Sequence, residues 1–135
     1  MHSMTCWPTM PSPSPLLDFL ADRSNAAHLD AEGWSLLLAE ARACGVMSRV
    51  ASVLAADAAR SSTWMPSQVM PHIVAATRQS DSLAHDVQRE LTFLSDALAG
   101  VGTPIVLLKG AAYCAAGLPA AQGRIFSDID LLVAR

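Results

Sequence analysis

Apolar positions recur every three or four residues over most of this chain and give way to short continuous runs near its end. Trp34, Leu37, Leu38 and Ala41 share one helical face, with Asp30 placed to cap that helix and Gly45 to stop it. Leu16, Leu17 and Leu20 predict a shorter helix before it, ending near Arg23. Val46, Val50, Val53 and Leu54 predict a third over residues 46–59, followed by a connector over residues 61–65. Pro66 suits the first turn of a fourth helix, where its missing N–H is not needed. The same spacing then runs through Val69, Ile73, Ala76, Thr77, Leu83, Ala84, Val87, Leu91, Leu94 and Leu98. This predicts one long helix, or two segments broken near residues 78–80. Pro71 is a candidate kink, and Gly100 and Gly102 mark the end.

Only then does the period change. Residues 105–108 (Ile-Val-Leu-Leu) read as a short buried strand, residues 111–116 as a short helix closed by Gly117, and residues 128–133 as a second strand. The fold class is α+β: a helical region over residues 15–100, then the strand–helix–strand start of a sheet over residues 101–135. Residues 1–14, rich in Pro, Ser and Thr, are expected to be a disordered N-terminus.

The candidate chemistry lies in that last part. Asp128 and Asp130 open the second strand, and strand side chains alternate, so both carboxylates would point to one face with Cα atoms about 6.5–7 Å apart. That spacing suits one shared cation, or two cations about 3.5–4 Å apart. Lys109-Gly110 ends the first strand and offers a cation and a bare backbone suited to phosphates. Arg124, four residues before Asp128, could pair with a carboxylate or clamp a phosphate, and Ser127 could cap locally. The same residues also fit plainer roles: Asp128 capping a turn, Asp130 on a solvent-facing edge, Lys109 and Arg124 on the surface. The shared site makes a topological demand. Gly110 and Asp128 meet only if the strands run oppositely or sit otherwise in a mixed sheet. In a parallel pair in register they would lie roughly 13–17 Å apart.

Composition narrows the alternatives. The chain has 135 residues, 52% of them hydrophobic and 16% charged, which is a globular balance with room for one modest domain. A net charge of −3 with no basic cluster gives no electrostatic footprint for nucleic acid or an anionic membrane. Cys6, Cys44 and Cys114 are scattered and odd in number, which reads as reduced thiols rather than a disulfide frame or zinc site. No secretory signal is evident and no window could span a bilayer, so a cytoplasmic location is expected. His28, His72 and His85 form no metal-ligand pattern, and no Gly-x-Ser-x-Gly supports a serine hydrolase. Arg78, Asp81, Asp86 and Arg89 read as the solvated side of the long helix, with i,i+3 pairs at Arg78/Asp81 and Asp86/Arg89. Trp7, Trp34 and Trp64 are too dispersed for a base-stacking platform, and Trp34 is expected to anchor the helical core.

Taken together, Leu107-Leu-Lys109-Gly110-Ala-Ala and Arg124-Ile-Phe-Ser127-Asp128-Ile-Asp130-Leu-Leu-Val resemble the uncharacterised nucleotidyltransferase family of bacteria, within the DNA polymerase beta-like superfamily. The resemblance covers about residues 30–135. It implies a nucleotidyltransferase mixed sheet, with Asp128 and Asp130 as the catalytic, metal-holding carboxylates for two Mg²⁺. Lys109, Gly110, Arg124 and Ser127 would serve the nucleoside triphosphate, and the reaction would move NMP from NTP to an acceptor. Two departures stand out. Ala111 replaces the serine common in the superfamily's loop, and the superfamily's third carboxylate comes from a later strand. The chain is therefore expected to be the N-terminal, apparently truncated part of such an enzyme, inactive alone and prone to self-association through an exposed strand. Two other expectations are a toxin-type nucleotidyltransferase of a toxin–antitoxin pair and a non-catalytic helical interaction module.

Overall fold

Ser14 opens the first helix, α1 (Pro15–Ala21), its Oγ accepting from the Leu17 N–H at 3.2 Å. That hydroxyl also donates to Glu40 Oε2 at 2.8 Å, and the Leu16 N–H donates to the same oxygen at 3.0 Å. A carboxylate of the following helix thus fastens the start of α1 onto it. The computed structural model describes residues 14–56, 63–125 and 127–133. A 3₁₀ segment at Arg23–His28, capped by Asp22, fills a stretch for which the spacing predicts no element. Then α2 (Ala31–Ala43) starts as expected, with the Asp30 carboxylate accepting from the Gly33 N–H at 2.8 Å.

Trp34, Leu37, Leu38 and Ala41 are all buried along α2, and α3 (Met47–Ala56) turns Val50, Ala51 and Leu54 against them. The expected continuation of α3 to residue 59, the start of the connector after it and the N-terminal residues 1–13 lie outside the described residues. Trp64 stacks on Trp34 with ring centroids 6.0 Å apart, so the second tryptophan completes the same core.

The long helix α4 (Met70–Leu98) runs unbroken for 29 residues, about 44 Å, across residues 78–80. It starts four residues later than Pro66, whose carbonyl instead accepts from the Val69 N–H in a separate turn. Pro71 explains the shift. A helix begun at Pro66 would require the absent Pro71 N–H, whereas a start at Met70 places Pro71 in the first turn. Pro71 sets the boundary and does not kink the helix. On its solvated side Arg89 and Asp86 pair at 3.0 Å, an exposed contact of little energetic weight.

Beyond α4 come β1 (Ile105–Leu107), α5 (Lys109–Ala115), a 3₁₀ turn at Pro119–Ala121 and β2 (Leu131–Val133). The strands pair antiparallel, Ile105 with Val133 and Leu107 with Leu131. The protein is thus mostly helical with a small two-stranded antiparallel sheet, consistent with the α+β expectation. The buried cluster belongs to the helices, while Leu91, Leu94 and Leu98 line an open groove of about 650 Å³ with Ile105, Leu107 and Leu131. No helix among the described residues is long and apolar enough to cross a membrane.

Candidate functional site

One end of the ladder brings the two sequence motifs together. Past the last strand pair, the Leu108 N–H donates to the Asp130 carbonyl at 3.0 Å, and the next residue, Lys109, reaches Asp130 Oδ2 with its ammonium at 2.9 Å. The antiparallel pairing thus meets the topological demand, with Lys109-Gly110 and Asp128–Asp130 at the same end. Two local expectations need correction. The second strand begins at Leu131 and not at Asp128, so strand alternation does not place the carboxylates. With only three residues in β1 before the chain turns into α5, residues 128–130 find a single backbone partner among the described residues, Leu108. The short helix also starts earlier than residue 111: Lys109 and Gly110 form its first turn, and Gly110 and Ala111 are buried there.

Lys109 holds φ = 52°, and among the described residues every other positive φ belongs to a glycine. The left-handed conformation costs a side-chain-bearing residue about 1–2 kcal/mol. Its side chain remains 70% exposed, while the Asp130 side chain is 33% exposed. The hydrogen bond to Asp130 holds the Lys109 ammonium above lysine's ordinary range. The charge of Asp130 adds to this, burial opposes it, and the charge of Asp128 contributes a smaller push in the same direction. A raised folded-state value means that this pair's stabilisation is fully present below lysine's ordinary range and is lost as pH rises through the raised value. The pair is therefore intact at neutral pH.

The other two residues singled out in the sequence sit differently. Ser127 and Asp128 are exposed on the approach to β2. Arg124 lies with its guanidinium carbon 5.6 Å from the ring centroid of Tyr113, a cation–π contact on α5 one helical turn beyond Lys109. Among the described residues, the cation paired with Asp130 is Lys109.

The model of a family described as "Uncharacterised nucleotidyltransferase" matches residues 30–135, a span that includes both motifs and three of the helices before them. The chain belongs to this nucleotidyltransferase family. Comparison with curated proteins and with solved structures gives no significant match.

The resemblance implies Mg²⁺, and the donor set decides how one could be held. Among the described residues no group of three or more His, Cys, Asp or Glu side chains could hold a metal ion. Two neighbouring carboxylates, one of them half-exposed, still fit the hard-oxygen chemistry of Mg²⁺. That ion commonly takes one or two carboxylates and completes its shell with waters and substrate phosphates. These residues therefore suit a metal that arrives with a triphosphate better than a metal alone.

Sequence reasoning missed what holds the nucleotidyltransferase motif's approach loop in place. Arg49 on α3 donates from Nη1 to the carbonyls of Gln122 at 3.0 Å and Pro119 at 3.3 Å. Gly123, at φ = 66°, packs so closely on α3 that a Cβ there would lie 2.5 Å from the Ser48 carbonyl oxygen and 2.8 Å from the Arg49 Cα. The helical region thereby grips the loop that carries Arg124 and leads to Ser127 and Asp128. Beside the grip lies a cleft of about 550 Å³ lined by Ser52, Thr77, Asp81, Gln88, Cys114 and Arg124. Burial pushes the Cys114 thiol up, which disfavours its thiolate. The only sequence signal for the grip was a lone glycine before Arg124. Gly123→Ala is expected to destabilise the protein by about 2 kcal/mol or more, from left-handed strain together with overpacking. Denaturant unfolding checks this, and a change within about 0.5 kcal/mol would mean that the loop does not rest on α3.

Proposed function

We propose that this chain binds a magnesium–nucleoside triphosphate at the end of the β1–β2 ladder, for transfer of a nucleoside monophosphate to an acceptor hydroxyl. The observation that supports this reading is the meeting of Lys109-Gly110 with Asp128–Asp130 at one end of the ladder, in a chain of the nucleotidyltransferase family. In the proposed reaction the acceptor oxygen bonds to the α-phosphorus as the bond to the pyrophosphate oxygen breaks. The acceptor's proton passes to solvent or to a carboxylate.

Asp128 and Asp130 would hold the metal, which neutralises phosphate charge and polarises the phosphoryl oxygens when bound. Lys109, the exposed cation of the turn, would meet the phosphates, with Gly110 keeping the turn free of a second side chain beside it. Arg124, seated on Tyr113, and Ser127 would border the nucleotide. With two carboxylates supplied by the described residues, turnover is expected to fall at least about 10²–10³ below that of a fully equipped site, so binding is the more direct test.

Equilibrium filter binding with α-labelled ATP checks the reading. Saturable binding that requires Mg²⁺ and disappears with EDTA is expected. Binding that is absent at millimolar nucleotide, or indifferent to EDTA, would overturn it.

A further inference from the structure

Lys109 combines two features that call for a common explanation. It holds a backbone conformation that glycine adopts freely, and its exposed ammonium pairs with Asp130. Where the chain turns from β1 into α5, a glycine would make the turn more easily, yet the side chain present delivers a positive charge onto one of the two adjacent carboxylates. We infer that Lys109 is a resident counter-cation that keeps bare divalent metal away from the Asp128–Asp130 pair, making the site selective for the metal–nucleotide complex over the free metal. This rests on the proposed nucleotide site and adds an order of events to it.

The charges make the argument. Two carboxylates alone attract a divalent ion strongly, because each repels the other until a cation neutralises them. With the ammonium 2.9 Å from Asp130 Oδ2, the pair carries a net charge of −1, and one oxygen that could bind metal is engaged. The same ammonium cannot sit on Asp130 and on a phosphate at once. A triphosphate offers it more negative charge, and Lys109 is exposed enough to follow. Its departure frees Asp130 as the nucleotide brings its metal.

The test compares Mn²⁺ binding, read by the electron paramagnetic resonance of free Mn²⁺, in the wild-type chain and in Lys109→Gly, Lys109→Arg and Lys109→Gly/Asp130→Asn. Glycine suits the positive φ, so the first variant removes the charge while relaxing the backbone. Lys109→Gly is expected to bind Mn²⁺ without nucleotide about tenfold more tightly or better. Lys109→Arg should stay at the wild-type level, and the double variant should lose the gain. No gain in Lys109→Gly, an equal gain in Lys109→Arg, or a gain that survives Asp130→Asn would each overturn the inference. Mg·ATP binding measured in parallel separates the two readings. A wild-type chain that ignores Mg·ATP overturns the proposed function, whereas normal Mg·ATP binding without the Mn²⁺ gain overturns only the role given to Lys109.

Discussion

Asp128→Asn and Asp130→Asn are each expected to weaken magnesium-dependent ATP binding by about 10²-fold, equal to about 2.7 kcal/mol, and together to abolish it. Asparagine keeps the shape of aspartate and leaves intact the backbone bond from the Leu108 N–H to the Asp130 carbonyl, so the ladder end is preserved. What changes is charge and the capacity to hold a hard cation. The Lys109–Asp130 contact lies at the surface, where ion pairs add little to stability, so the melting temperature should barely move. The signature is therefore a split between lost binding and retained fold. Unfolding of Asp130→Asn in step with the lost binding would make Asp130 a structural residue instead.

The opposite split is expected at Trp34. This side chain is fully buried at the centre of the helical core and stacks on Trp64 at 6.0 Å. Trp34→Ala removes the largest fully buried side chain of that core and should cost about 3–5 kcal/mol, lowering the melting temperature by roughly 10 °C or more. Trp34→Phe is expected to cost far less, because the indole N–H has no hydrogen-bond partner to lose among the described residues. The loss matters for the site as well as the fold. Trp34 belongs to the core that seats α3, and α3 supplies the Arg49 and Ser48 surface on which the 119–123 loop rests. Thermal unfolding of both variants by circular dichroism checks the pair, and equal melting of Trp34→Ala and wild type would remove Trp34 from its central place.

Local signals are more legible in this sequence than distant ones. Asp30 before an apolar stripe was enough to place α2, because a cap and a 3.6-residue period act within one element. The antiparallel pairing is one of the two arrangements the sequence left open, since Gly110 and Asp128 lie close if the strands run oppositely or sit otherwise in a mixed sheet. The strand limits were not. Whether residues 128–130 pair depends on how long β1 lasts, and β1 ends where Lys109 takes a left-handed conformation usually left to glycine. Pro71 was legible as a disruption but not as a boundary, because Pro66 offered an equally good start. The grip of Arg49 on Pro119 and Gln122 joins residues about seventy positions apart, and no spacing rule connects them.

The Lys109-Gly110 turn and the Asp128–Asp130 segment are proposed to form one metal–nucleotide site. Paramagnetic broadening of backbone amide resonances by Mn·ATP tests this most directly. The amides of Lys109, Gly110, Asp128 and Asp130 are expected to broaden together at substoichiometric Mn·ATP, while those of Leu37 and Val50 in the helical core stay sharp. Broadening that spares either motif, or that centres on the cleft lined by Ser52 and Thr77, would contradict it.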